Sequence, residues 1–236
     1  MQLFIGQQIN SSQIELTEEE SHHCIKVLRK KVNEELWVTD GKGKLYRGII
    51  SIANPKKITL EILSIENKPN PWSYYLHVAI APTKNNDRIE WFAEKATELG
   101  IDEISFIVCK NSERRVIKTD RIKKITESAA KQSLKFNFPI INEATDLLSF
   151  YTKYSNSSLD KFIAHCRNEN LPFIGKEIAK TSNALILIGP EGDFTEQEIL
   201  DAQTKNFKEI SLGKSRLRTE TAGLSLVHFF SYLNNL

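Results

Sequence analysis

The chain of 236 residues has only three cysteines, Cys24, Cys109 and Cys166. They are scattered and odd in number, which argues against a disulfide framework. No apolar run approaches the ~20 residues of a membrane-spanning helix. The opening "MQLFIGQQIN" has neither the basic start nor the long apolar stretch of a secretory leader. A cytoplasmic protein is therefore expected. Two nucleotide fingerprints are also missing. Gly213-Lys214-Ser215 has Lys208 where a phosphate-binding P-loop needs its first glycine. "GKGKLY" at Gly41 lacks the third glycine of a dinucleotide turn and falls within a hairpin pattern. No metal is expected, because His22, His23 and Cys24 are adjacent, point apart on a helix, and have no second Cys/His cluster to complete a site.

Little charge of either sign is in excess, the net charge being +2, but the charges are unevenly placed. Between Lys110 and Lys135 nine Lys/Arg stand against three Asp/Glu, a local balance of +6. Residues 1–70 carry ten basic and nine acidic groups, which leaves the remainder at −5. A segment of that kind suits a polyanionic partner.

The chain reads as two parts with different patterning. In residues 1–68, "ELWVTDGKGKLYRGIISI" is two β-rich runs around an Asp-Gly turn. "KKITLEILSIE" alternates Ile58, Leu60 and Ile62 with Thr59 and Glu61, as a half-buried strand does. "TEEESHHCIKVLRKK" is expected to be a helix opened by a Thr17–Glu20 capping box. This part is expected to be a small β-barrel. "NKPNPW" marks a linker, and residues 73–236 then alternate strands and helices. In "DRIEWFAEKATELG", Ile89, Phe92, Ala93, Ala96 and Leu99 share one helical face, and Gly100 caps its end. Further helices are expected in the basic segment "TDRIKKITESAAKQSLK", around 171–181, around 195–205 and in the last segment, "ETAGLSLVHFFSYL". Such alternation implies a mostly parallel α/β sheet covered on both faces. Ligands of these sheets bind at the carboxyl ends of strands, which directs attention to the loops after Cys166, Ile188 and Leu212.

The loop "IGPEGDF" ends one expected strand and opens a helix whose first turn carries its own capping box, Thr195–Glu198. With the helix amides partly occupied, Glu191 and Asp193 would repel a phosphate. A neutral or cationic ligand, or a ribose seeking acceptors, suits it better. "LGKSRLRTETA" repeats the design of strand, glycine, loop and helix on the next strand.

"KATELG", "NSERR", "AAKQSLKFNFP", "IGPEGDF" and "LGKSRLRTETA" together resemble the RsmE family of 16S ribosomal RNA uridine-N3 methyltransferases, in the SPOUT superfamily. The resemblance spans nearly the whole chain. It implies a PUA-like barrel over 1–68 and a SPOUT α/β domain over 73–236 with a C-terminal deep trefoil knot, an exception to the rule that chains avoid knots. It also implies S-adenosylmethionine as methyl donor, a homodimer, and ribosomal RNA or the small ribosomal subunit as partner. By position, the cofactor loops are Ile188, Gly189, Pro190 and Gly192, and Leu212, Gly213, Leu217, Arg218 and Thr219. Three departures stand out: Asp193 where the family usually has a second glycine, Ser215 and Leu217 in place of a more regular "RIL", and Lys135 in place of arginine.

The candidate chemistry gives Arg218 an electrostatic role beside the uracil carbonyls and Glu220 or Glu191 a part in removing the N3 proton. The candidate RNA contacts are His22, Arg29, Lys30, Lys31, Lys42 and Lys44 in the first part, with Arg114, Arg115, Lys123, Lys124 and Lys131 in the second. The competing readings are methylation of another RNA or of a ribose 2′-hydroxyl, and a non-catalytic RNA-binding protein of the same fold. Affinity for ribosomal RNA is expected to fall steeply as salt rises, because phosphate contacts release counterions. Titrating an RNA fragment at several salt concentrations checks this, and a flat response would refute an electrostatic footprint.

Overall fold

The computed structural model describes residues 1–179 and 181–234. By internal contacts it divides into two units, Met1–Pro71 with Glu127–Phe138, and Trp72–Thr126 with Pro139–Leu236.

The first unit is a closed barrel of β1 (Leu3–Gln8), β2 (Gln13–Leu16), β3 (Glu35–Thr39), β4 (Lys44–Asn54) and β5 (Lys57–Asn67), in the order β1-β2-β5-β4-β3. The chain closes it by pairing β1 with β3 in parallel, which leaves no open edge. Phe4, Ile14, Val38, Tyr46, Ile50, Ile58 and Leu60 fill the interior. The Asp-Gly turn forms as expected: Gly41 and Gly43 have φ of 69° and 90°, and Asp40 Oδ1 accepts from the backbone N–H of Lys42 and Lys44. The short helix expected from Thr17 forms and runs into a π turn. α1 covers Glu18–His22, and His23–Val27 form a single π-helical turn, which buries Cys24 and leaves His22 and His23 exposed. Thr17 caps the helix by accepting from the N–H of Glu20, but the Glu20 carboxylate goes to Lys131 instead of completing the box.

The second unit is built on a six-stranded, all-parallel sheet of β6 (Tyr75–Ile80), β7 (Glu103–Val108), β8 (Ile140–Asp146), β9 (Asp160–Ala164), β10 (Asn183–Ile188) and β11 (Lys208–Ile210). Its order is β11-β9-β10-β6-β7-β8, so β10 lies between β6 and β9. The unbroken run "ALILI" of β10 is explained by two covered faces. Ala184, Ile186 and Ile188 join a core with α2 (Asn86–Leu99) and α7 (Thr219–Leu233). Leu185 and Leu187 join another with α4 (Leu147–Tyr154) and α6 (Glu196–Thr204). Gly100 takes φ 108° to end α2, as its position predicts. α3 (Thr119–Gln132) is the basic helix. The helix expected around 171–181 is only α5 (Ile174–Glu177), and Lys180 lies outside the described residues.

The register decides where a ligand can sit. Ile188 pairs with Ile80 on one side and Ala164 on the other, and Ala164 pairs in turn with Ile210. Four neighbouring strands therefore end level, and their following loops leave the sheet together.

Near the opposite, amino ends of the strands lies a buried polar knot. Glu103 accepts from Tyr75 Oη at 2.5 Å, Asn142 Nδ2 at 2.6 Å and Tyr154 Oη at 2.9 Å. His77, fully buried, shares a 2.8 Å hydrogen bond with Ser105. Burial pushes the His77 imidazole down to about 4, against the opposing pull of Glu103. The native state stays neutral at His77 while the unfolded chain takes up a proton below its ordinary 6.5. Stability is thus expected to fall as pH drops from 6.5 towards 4, by up to about 3 kcal/mol. Urea unfolding across that range should show the loss in the native protein and a flatter profile in His77→Gln.

Candidate active site

A crevice opens at the level strand ends. Its walls are Ala164, His165 and Cys166 after β9, Ile188, Gly189, Pro190, Glu191 and Asp193 after β10, Ser211, Leu212, Gly213, Ser215, Arg216 and Leu217 after β11, and Thr219 and Ala222 on α7. Apolar side chains and exposed backbone make up most of it.

Each loop is held by specific bonds. The Thr219 hydroxyl, buried, donates to the carbonyl of Gly189 at 3.0 Å and ties the start of α7 to the glycine loop. Glu191 Oε1 accepts from the backbone N–H of Lys84 at 3.1 Å. Asn111 Nδ2 donates to the carbonyls of Gly192 and Asp193 at 3.1 and 3.0 Å. Arg114 donates through Nε and Nη2 to the carbonyl of Lys84. The "NSERR" segment is thus a brace behind the glycine loop, and Arg114 is committed to it.

Asp193 has φ 59°, a left-handed backbone that favours glycine. That accounts for a glycine at this position in the family the sequence resembles. The aspartate is tolerated because its carboxylate satisfies local donors, Oδ1 accepting from the N–H of Phe194 at 2.8 Å and Oδ2 from that of Cys166 at 3.0 Å. It thereby joins two walls of the crevice. Gly213 has φ 127°, and a Cβ there would meet nothing within 4 Å, so the backbone faces open space.

His165 is buried, with Nε2 2.8 Å from Glu209 Oε2 and Nδ1 3.3 Å from the N–H of Arg167. The backbone donor assigns Nδ1 as acceptor and Nε2–H as donor to the carboxylate. Cys166 beside it is exposed on the rim. The capping box of α6 is complete, with Thr195 and Glu198 bonded reciprocally. Glu198 Oε1 also accepts from the N–H of Lys110 at 2.8 Å. The helix start therefore presents few unmet donors, and with Glu191 and Asp193 beside it the crevice does not suit a phosphate.

Of the residues singled out in sequence, Ile188, Gly189, Pro190, Glu191, Leu212, Gly213, Leu217 and Thr219 line the crevice. Gly192 lines an adjoining cleft with Arg167, Lys214 and Phe173. Arg218 is exposed at the cap of α7 and Glu220 is buried behind Thr219; neither belongs to the lining. The basic residues divide as well. His22, Arg29, Lys31, Arg115 and Lys124 are exposed. Lys30 pairs with Glu34 at 2.6 Å, Lys131 with Glu20, and Lys123 lies 3.5 Å from Asp120. Asn111 stood in the sequence only as the first residue of "NSERR", with no role given to its carboxamide. Sequence reasoning missed Arg88, which lies 3.8 Å from Glu220. Among the described residues no group of three or more His, Cys, Asp or Glu is placed to hold a metal, and no helix is long and apolar enough to cross a membrane.

Residues 70–231 match the family model of the RNA methyltransferase domain, and residues 16–63 that of the RNA methyltransferase PUA domain. The chain is 31% identical over 219 residues to a ribosomal RNA small subunit methyltransferase E of Rickettsia conorii, covering 92% of this chain and 88% of that protein. It is also similar to a probable rRNA-methyltransferase from Porphyromonas gingivalis, with TM-score 0.90, 36% identity and coverage of 100% and 99%. A ribosomal RNA small subunit methyltransferase E from Neisseria gonorrhoeae, solved with S-adenosyl methionine, matches with TM-score 0.82, 27% identity and coverage of 99% and 98%.

Because the left-handed backbone at Asp193 burdens any side chain that cannot bond locally, Asp193→Ala should destabilise the protein more than Asp193→Gly, by about 1 kcal/mol. Chemical denaturation of both variants measures the difference. Equal losses would mean that the carboxylate bridge, not the backbone, dominates at this position.

Proposed function

The chain belongs to the RsmE family of RNA methyltransferases, and from that premise we propose that it methylates N3 of one uridine in 16S ribosomal RNA, with S-adenosylmethionine as donor. The observation that carries the reading is the crevice itself: three successive strand-end loops enclose apolar side chains and backbone, and the acids stand at its rim.

The residues present suit the donor. Ile188, Pro190, Leu212, Leu217 and Ala222 offer apolar surface to an adenine. The open backbone at Gly213 admits a close ligand, and Glu191 is placed to favour a cation or accept from a ribose hydroxyl. Ile188, Gly189, Pro190, Gly192, Leu212, Gly213, Leu217 and Thr219 are the proposed cofactor residues, while Arg218, outside the lining, is assigned to the acceptor. When bound, S-adenosylmethionine supplies an electrophilic methyl group and departs as a neutral thioether.

The chain's own contribution is positioning and electrostatics. Thr219, Asn111 and the Asp193 carboxylate fix the loops before any ligand arrives. Arg218, exposed at the mouth, is proposed to balance the negative charge that develops on the uracil carbonyls. The exposed His22, Arg29, Lys31, Arg115 and Lys124 are the proposed phosphate contacts, which position RNA without reading its sequence. A homodimer and a knotted C-terminal chain complete the reading. The insertion of β10 between β6 and β9 supports the second.

Mass spectrometry of ribosomal RNA nucleosides from cells with and without the protein should show N3-methyluridine only in its presence. A 2′-O-methylated or unchanged product would overturn the assignment. Arg218→Ala should lower turnover on RNA by about 100-fold or more, while calorimetry finds donor affinity within a few-fold of the native protein.

A further inference from the structure

We infer that the acceptor base is received between the first turns of α2 and α7, where Arg88 lies beside Glu220. This rests on the methyl-transfer reading above and extends it to a site.

Glu220 follows Thr219, whose hydroxyl is fixed on Gly189 in the wall of the cofactor crevice. Its side chain is 9% exposed, and its Oε1 lies 3.8 Å from Arg88 Nε. Its Oε2 is buried with no hydrogen-bond partner, and so is Asn86 Oδ1 at the start of α2. A buried polar atom without a partner forfeits the hydrogen bonds it makes to water in the unfolded chain, so a ligand donor that reaches it is favoured. The third such atom among the described residues, His77 Nδ1, belongs to the polar knot at the other end of the sheet. Two unpaired acceptors thus stand at the starts of two helices that pack together, where Gly223 of α7 meets Phe92 of α2. The amino ends of both helices favour negative charge at this place. Nearby groups are already engaged: Lys84 through its N–H with Glu191, through its carbonyl with Arg114 and through its ammonium with Glu113. Arg121 is held by Glu90 at 2.5 Å.

Uracil fits this arrangement. Its N3–H is a single donor flanked by two carbonyl acceptors. Glu220 Oε2 takes the N3 hydrogen as a proton. The electron pair left on N3 becomes the new N–C bond, with charge balanced by the departing neutral thioether. Arg88 and the helix amides face the carbonyl oxygens, where negative charge gathers as the proton leaves. Asn86 Oδ1 accepts from a ribose hydroxyl of the same nucleotide. Glu220 and Arg88 are catalytic residues on this account.

The test compares native protein with Glu220→Gln, Glu220→Asp and Arg88→Ala by four readouts: calorimetric binding of S-adenosylmethionine, melting temperature, RNA affinity without the donor, and kcat with KM for an RNA fragment. Glu220→Gln should lower kcat by about 100-fold or more, with donor affinity and KM within about threefold. Its melting temperature should hold or rise, because a buried oxygen without a donor has lost its charge. Glu220→Asp should restore part of kcat, and Arg88→Ala should lower kcat by about tenfold or more with donor binding intact. Native turnover in both Glu220→Gln and Arg88→Ala overturns the inference. Loss of donor affinity in step with kcat also overturns it, since Glu220 would then serve the cofactor crevice. If Glu220→Gln fails to fold, the half-exposed Arg88→Ala decides alone. Native protein that neither binds donor nor methylates RNA would instead sink the functional reading itself.

Discussion

The buried hydrogen bond from Thr219 to the carbonyl of Gly189 joins the last helix to the loop that ends the central strand β10. Without it the start of α7 would have no fixed relation to the glycine loop, and the crevice would lose its third wall. The bond can form because β6, β9, β10 and β11 end level, which delivers all the relevant loops to one edge. Level ends follow from the in-register parallel pairing of these strands, of which β6, β9 and β10 are largely buried. The site is therefore a consequence of strand register first and of loop chemistry second.

Around that bond the loops are over-determined. Gly189 is fixed from α7, Glu191 from the loop after β6, Gly192 and Asp193 from the loop after β7, and Asp193 again from the loop after β9. Backbone held from so many directions reorganises little when a ligand arrives, and pre-organisation of this kind lowers the cost of binding. It also explains how a strained residue survives. Asp193 keeps a left-handed backbone because the surrounding bonds leave it no alternative.

Much of this was legible in the sequence where local rules operate alone. The helical face of Ile89, Phe92, Ala93 and Ala96, the Gly100 cap, the Thr195–Glu198 box and the Asp40–Gly43 turn each need only neighbouring residues. β8 and α4 were not legible, because "IINEATD" lies at a sheet edge and half-buries residues without clean alternation. The short helix from Thr17 was legible, but not the change to a π turn at His23–Val27 that buries Cys24, which local propensity does not announce. At the site, glycines and acids announced a ligand loop. Asn111, Arg114 and Arg88 act across about 30 to 130 positions of chain, and no spacing rule reaches that far.

The polar knot of Tyr75, Glu103, Asn142 and Tyr154 gives the sheet an asymmetry along its strands. One end of β6, β7 and β8 is riveted by side-chain bonds in addition to the ladder, while the other opens into loops. The carboxyl ends are tied by loop-to-loop bonds and the amino ends by this knot, so β6 and β7 are anchored at both ends and a ligand meets a frame that is already fixed.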